Sequence, residues 1–269
     1  MSYRITVSNQ KGGVGKTTIC LHLAVGLARR DRDVLLVDLD PSAYLSVHLG
    51  FDREYYDENK NSLAYNLVEG PHNNPDDIII STDEGVDLVP SNFDMRGVED
   101  RLNAERNREM RLKMLLDSLE QDYDYIMVDS PPSVGILYDN AILACRHVVI
   151  PIKDEEMSIV SVHRALDEIE EIENAFGTGI EILAIVPNLV RPDGVASKTL
   201  KNLRNMDGLK EYLTDFEIRQ RVAIRRSMKN RTTLYNHKPS NDQIENFMKL
   251  ADLVISKCEG GAEDGEGGE

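Results

Sequence analysis

Cysteine is scarce in this chain. Cys20, Cys145 and Cys258 are the only three, they lie far apart, and no CxxC pair occurs. That spacing argues against a disulfide framework, a zinc site or a bridging iron–sulfur cluster, and favours small buried apolar side chains. Long apolar runs are also missing. No stretch approaches the roughly 18 residues a transmembrane helix needs. The chain enters a strand-like pattern, "YRITVS", almost at once, with no basic-then-apolar leader, so a cytoplasmic protein is expected. Base is in deficit: 31 Lys and Arg stand against 47 Asp and Glu, a formal charge of −16. A polyanion would be repelled on average, so any nucleic-acid contact needs a local basic face. No internal repeat and no dividing linker are visible.

What is present is a regular alternation. "RITVS" (4–8), "VLLVD" (34–38), "VDLVP" (86–90), "YIMVD" (125–129), "HVVIPI" (147–152) and "EILAIVPN" (181–188) are short, β-branched and apolar nearly throughout, as in strands covered on both faces. Amphipathic helical stretches are expected at 16–30, 107–121, 158–176 and 241–257, with a short helix near 62–69. Such an order predicts an α/β fold, a doubly wound, mostly parallel sheet with helices on both faces. A single domain over 1–258 is expected, followed by a disordered acidic tail, "EGGAEDGEGGE", over 259–269.

The first strand leads into "NQKGGVGKTT" and then a helical pattern. This strand–loop–helix setting is what a phosphate-binding loop requires. Gly12, Gly13 and Gly15 permit backbone angles that turn successive N–H groups, with that of Val14, toward phosphate oxygens. The helix start adds its positive dipole end. Lys16 is placed for the β- and γ-phosphates, the Thr17 hydroxyl for Mg²⁺, and Thr18 for another phosphate oxygen. A second lysine, Lys11, precedes the glycines, and Gln10 occupies the first glycine position of the general pattern.

"KGGVGKTT" resembles the deviant Walker A motif of the ParA/MinD superfamily of P-loop ATPases. "VLLVDLDP" (34–41), "YDYIMVDSPPSVG" (123–135), "DNAILACRHVVIPI" (139–152) and "AIVPN" (184–188) resemble successive blocks of its ParA/Soj members, in order. The resemblance implies a P-loop NTPase fold with ATP and Mg²⁺ as cofactors. It also implies that Lys11 is the signature lysine, which reaches the phosphates of a partner subunit and so makes a homodimer depend on ATP. Lys11, Lys16 and Asp40 then carry catalysis, with Asp40 positioning the attacking water near Mg²⁺. Asp129 matches the Walker B acid that holds Mg²⁺ through water. Asp38 is either a metal-shell acid or a strand-end cap. Asn140 and Asn188 match positions near the switch and the base. Two departures stand out: "PSAYLS" after Asp40, and Lys153 where the family often has Gln.

Residues 218–241, "IRQRVAIRRSMKNRTTLYNHKPSN", hold seven Lys or Arg and no acid. ParA/Soj proteins bind DNA without sequence preference through arginines of this region, which makes Arg219, Arg221, Arg225, Arg226, Lys229 and Arg231 the candidates. A solvated face paired with the chain's own acids is the alternative. The expected function is an ATPase that partitions DNA or positions cargo, nucleoid-associated, with a ParB-like or cargo-adaptor protein stimulating hydrolysis. A membrane-surface ATPase like MinD is the competing reading, but the glycine- and glutamate-rich terminus does not suit an anionic membrane, and no membrane partner is expected.

Overall fold

The computed structural model describes all residues except 1, 52–60, 120–121, 156, 192–199, 207, 239–240 and 261–269. The strands are β1 (Tyr3–Val7), β2 (Val34–Asp38), β3 (Ile80–Ser81), β4 (Asp87–Val89), β5 (Tyr125–Asp129), β6 (His147–Ile152), β7 (Glu181–Val190) and β8 (Ile218–Arg219). They form one sheet in the order β3-β4-β2-β5-β1-β6-β7-β8. Every pairing is parallel except β3 with β4. The helices are α1 (Lys16–Ala28), α2 (Tyr44–His48), α3 (Leu63–Glu69), α4 (Val98–Leu102), α5 (Arg111–Ser118), α6 (Ile136–Cys145), α7 (Met157–Phe176), α8 (Val222–Lys229), α9 (Leu234–His237) and α10 (Asp242–Gly260).

Strand side chains alternate between two cores. On β2, Leu36 packs with α1 and α10, while Leu35 and Val37 pack with α3, α5 and α6. That period of two is why such strands read as continuous apolar runs. Helix α1 lies between the sheet and α10. Gly26 permits the close approach: a Cβ there would sit 2.9 Å from the Tyr235 hydroxyl and 3.3 Å from the Ala251 Cβ. The apolar side of α10 is spent on this contact, with Phe247, Leu250, Ala251 and Val254 fully buried. All three cysteines are free and buried.

Several expectations need correction. Helix α6 was not expected as a helix. It is buried on nearly every side, so it has no amphipathic period to read. The basic stretch contains a helix, α8, that turns Ile224, Ser227 and Met228 inward and Arg225, Arg226 and Lys229 outward. Helix α10 runs to Gly260, two residues past the expected domain end at 258. Glu259 pairs with Arg32 at 2.9 Å and accepts the Tyr125 hydroxyl at 2.8 Å, so it belongs to the folded body. The rest of the expected tail lies outside the described residues.

Candidate functional site at the carboxyl edge of the sheet

β1, β2, β5, β6 and β7 all end on one edge, where a doubly wound sheet gathers its ligand groups. The loop after β1 is anchored before it turns. Buried Asn9 donates to the Pro151 carbonyl at 2.8 Å and accepts the Lys11 N–H at 2.9 Å. Gly13 and Gly15 have φ of 71° and 89°, left-handed angles that favour glycine. Gly15 caps α1 without a side-chain hydrogen bond. The first-turn N–H groups therefore have no side-chain cap and are left for an anion.

Asn188, 1 % exposed, holds the loop from the β7 side. Its Nδ2 donates to the Val14 carbonyl at 2.7 Å, and a Cβ on Gly15 would lie 2.3 Å from that nitrogen. The Asn188 Oδ1 is buried and has no partner among the described residues. The amide has thus committed one of its donors to the loop and keeps its acceptor. Beside it opens a cleft of 310 Å³ that also meets Thr18, His48, Arg221, Arg225 and Lys229. Asn140 is placed elsewhere. Its Nδ2 donates to the carbonyls of Arg108 and Ile136, and its Oδ1 accepts the Leu112 N–H. It ties α5 to α6 and has no polar group left for a base, a correction to the sequence reading.

Two carboxylates sit side by side at paired positions of β2 and β5, Asp38 and Asp129. Asp38 accepts the Ser46 N–H at 2.8 Å, the Ser46 hydroxyl at 2.6 Å and the Asp40 N–H at 3.3 Å. Burial raises its pKa to about 7, against the lowering effect of the Ser46 bonds. Asp38 is thus the strand-end cap that starts α2. Asp129 is 1 % exposed and neither of its oxygens has a hydrogen-bond partner among the described residues. Burial, then the Asp38 charge, push its pKa well above the ordinary carboxylate value, while the nearby Thr17 hydroxyl, short of hydrogen-bond geometry, and the Lys16 charge act in the lowering direction. Lys16, also buried, has its pKa lowered by desolvation and supported in the other direction by Asp129 and Asp40. Asp40 lies in its own turn, accepting the Ser42 N–H at 2.8 Å.

Among the described residues, no three His, Cys, Asp or Glu side chains converge as a metal cage. Mg²⁺ needs no such cage, being held by one or two carboxylates plus substrate phosphates and water. Orphaned Asp129, facing Thr17 and Lys16, fits it.

Lys11 does not project freely. Its Nζ lies 2.6 Å from Glu155 Oε2, just past β6. Sequence reasoning missed Glu155, and His22 and His48 as well. His22, in α1, is fully buried: its Nε2 accepts the Leu234 N–H at 3.0 Å, and its Nδ1 contacts the Thr18 carbonyl at 2.8 Å. Accepting at Nε2 fixes the neutral ring with its proton on Nδ1. Burial lowers the His22 pKa to about 4. His48, at the end of α2, contacts the Met228 carbonyl of α8 at 3.1 Å. The only signal for these is a lone His in an apolar pattern, which names no partner.

The basic candidates divide. Arg219 pairs with Glu217 at 3.1 Å, and Arg221 with Asp242 at 2.7 Å. Arg225, Arg226, Lys229 and Arg231 are exposed and form no ion pair with a described residue. The solvated-face alternative therefore accounts for the first two and leaves four cations unneutralised.

A family model described as an AAA domain matches residues 2–182. The sporulation initiation inhibitor protein Soj of Bacillus subtilis is 31% identical over 211 residues, 78% of this chain and 80% of that protein. The chromosome partitioning protein ParA of Caulobacter vibrioides is 29% identical and covers 94% of each chain. A crystal structure of cobyrinic acid a,c-diamide synthase from Mycobacterium smegmatis with bound ADP and magnesium superposes with a TM-score of 0.82 at 27% identity, covering 97% of both chains. A partition protein from Borrelia burgdorferi bound to AMPPNP shares the fold, with a TM-score of 0.78 at 24% identity, covering 96% of this chain and 100% of that one. The glycine loop, the paired strand-end acids and these likenesses agree, and the chain belongs to the ParA/Soj family of P-loop ATPases.

Proposed function

We propose that the chain binds MgATP, closes into a homodimer around it, holds DNA without sequence preference, and uses slow hydrolysis, stimulated by a ParB-like or adaptor protein, to position a DNA or protein cargo. The observation that carries this reading is the buried, unpartnered Asp129 beside Lys16 and the uncapped start of α1. A buried carboxylate without partners is costly in isolation and makes sense as half of a metal site. When bound, Mg²⁺ would neutralise charge on the transferring phosphate.

The chain's own residues do the rest. Gly12 to Thr18 cradle the phosphates through backbone N–H groups. Lys16 supplies charge that desolvation strengthens. Thr17 and Asp129 hold the metal, and Asp40 orients water. The Asn188 acceptor and the adjoining cleft suit adenine, whose exocyclic amine is a donor. Lys11 leaves Glu155 for the partner's phosphates, which couples closure to ATP.

DNA retention falls to the unpaired cations Arg225, Arg226, Lys229 and Arg231, with Arg219 and Arg221 joining only if they give up their acids. Their contacts to phosphate are salt-sensitive and sequence-blind. No helix of the described residues is long and apolar enough to cross a membrane. The α10 apolar face is already spent on α1, which disfavours the MinD-like alternative.

The test is light scattering of Asp40→Ala with and without MgATP, followed by a DNA gel shift. The expected result is a monomer that doubles in mass only with MgATP, and a shift that needs the dimer. A variant that stays single at saturating MgATP refutes the dimer switch. An unchanged gel shift in Arg225→Glu/Arg226→Glu moves the DNA face elsewhere.

A further inference from the structure

Two ammonium groups meet at one carboxylate beside the glycine loop. Lys11 Nζ takes one oxygen of Glu155 at 2.6 Å, and Lys153 Nζ lies 4.0 Å from the other. Lys153 also leans over the loop: its Nζ is 3.8 Å from where a Cβ on Gly13 would be. The short segment that carries both residues is pinned, because buried Asp154 between them accepts the Arg191 N–H at 2.7 Å and so ties the end of β6 to the end of β7. The loop side of this cluster carries two cations against one acid.

We propose that Lys153 is a further polyphosphate-binding residue, supplied by the same subunit, which exchanges Glu155 for the β- or γ-phosphate oxygens when a nucleoside triphosphate occupies the loop. This rests on the reading of residues 11–18 as a phosphate site. The chemistry favours the exchange. A phosphate chain offers several charged oxygens where Glu155 offers one contact at 4.0 Å, which is too long for a hydrogen bond. The lysine stem is flexible, its three donors rotate, and it is only a quarter exposed here. Glu155 holds the two lysines beside the loop, and its low pKa, set first by the Lys11 hydrogen bond, keeps it charged. An uncharged side chain at position 153 supplies no positive charge, so Lys153 sets how tightly this chain holds triphosphate before any partner arrives.

The experiment is calorimetric binding of MgATP to the full chain, wild type against Lys153→Gln, Lys153→Arg and Lys16→Ala. Lys153→Gln is expected to weaken ATP binding about tenfold, the scale of one hydrogen bond to a charged group, and Lys153→Arg to restore most of it. ATP affinity within twofold of wild type in Lys153→Gln, while Lys16→Ala loses binding, overturns the proposal and leaves the phosphate site standing. A loss in Lys153→Gln that Lys153→Arg does not restore assigns the effect to loop shape and also overturns it. Undiminished binding in Lys16→Ala instead removes the phosphate-site reading beneath it.

Discussion

The ends of β2 and β5 differ by one property. Asp38 and Asp129 close neighbouring strands at paired positions, and both are essentially buried. Asp38 has three donors within its own chain, and Asp129 has none among the described residues. Buried carboxylates of equal depth thus serve opposite ends. A satisfied one fixes the backbone that follows it. An unsatisfied one is held in readiness for a cation the chain does not itself provide.

The largest effect should come from breaking the unsatisfied side. Asp129→Asn is expected to reduce Mg²⁺-dependent phosphate release by about 10²- to 10³-fold, the usual scale for removing one preorganised charge at a transferring group. Its folded stability without nucleotide should hold or rise, since an orphaned buried acid is removed. A phosphate-release assay beside a urea titration reads both. A large loss of stability would mean that Asp129 has an internal partner after all.

The satisfied side should answer in the other currency. Asp38→Ala leaves the Ser46 N–H and the Asp40 N–H without their acceptor. It is expected to lower unfolding free energy by about 2–4 kcal/mol, read as a shift in the urea midpoint. If stability were kept and only metal-dependent turnover fell, Asp38 would belong to the metal shell, and the contrast with Asp129 would disappear.

This contrast marks the limit of what the sequence discloses. The glycine loop, Lys16 and the strand ends were legible because their signals are local: a fixed spacing after an apolar run, before a helical pattern. Pattern and spacing do not separate the two acids of "VLLVD" and "YIMVD"; only the family resemblance singled out Asp129 and left Asp38 open. Ser46, which decides the matter for Asp38, lies eight residues on and across a turn. Glu155 is invisible for the same reason, being 144 positions from the lysine it pairs with. Helix α6 was hidden by its own burial, and α8 by the reading of its charges as a run and not as one side of a helix.

A weaker version of the contrast runs through α1. His22 is buried and neutral, and its burial is the first cause of a pKa near 4. An unfolded His titrates near 6.5, so between pH 6.5 and 4 the unfolded chain binds the extra proton. Stability from this group is therefore fully present above pH 6.5 and lost as pH falls toward 4, by about 3 kcal/mol in total. Urea midpoints at pH 7.5 and 5 should differ less for His22→Gln than for wild type. An equal pH slope in the two proteins would mean that His22 takes up its proton in the fold as readily as in the unfolded chain.

The smallest expected effect is at Glu84, and it separates donor number from burial. This acid, between β3 and β4, accepts the Thr233 N–H at 2.9 Å, the Thr233 hydroxyl at 2.6 Å, the Asn236 amide at 2.7 Å and the Thr232 hydroxyl. It has more donors than Asp38 but keeps part of its surface in water. Water can replace a lost acceptor there, as it cannot at the end of β2. Glu84→Gln, which retains one oxygen, should therefore lower stability by only about 1 kcal/mol. A loss equal to that of Asp38→Ala would show that the count of donors, and not their isolation from solvent, sets the cost. The difference between the two strand ends would then need another explanation.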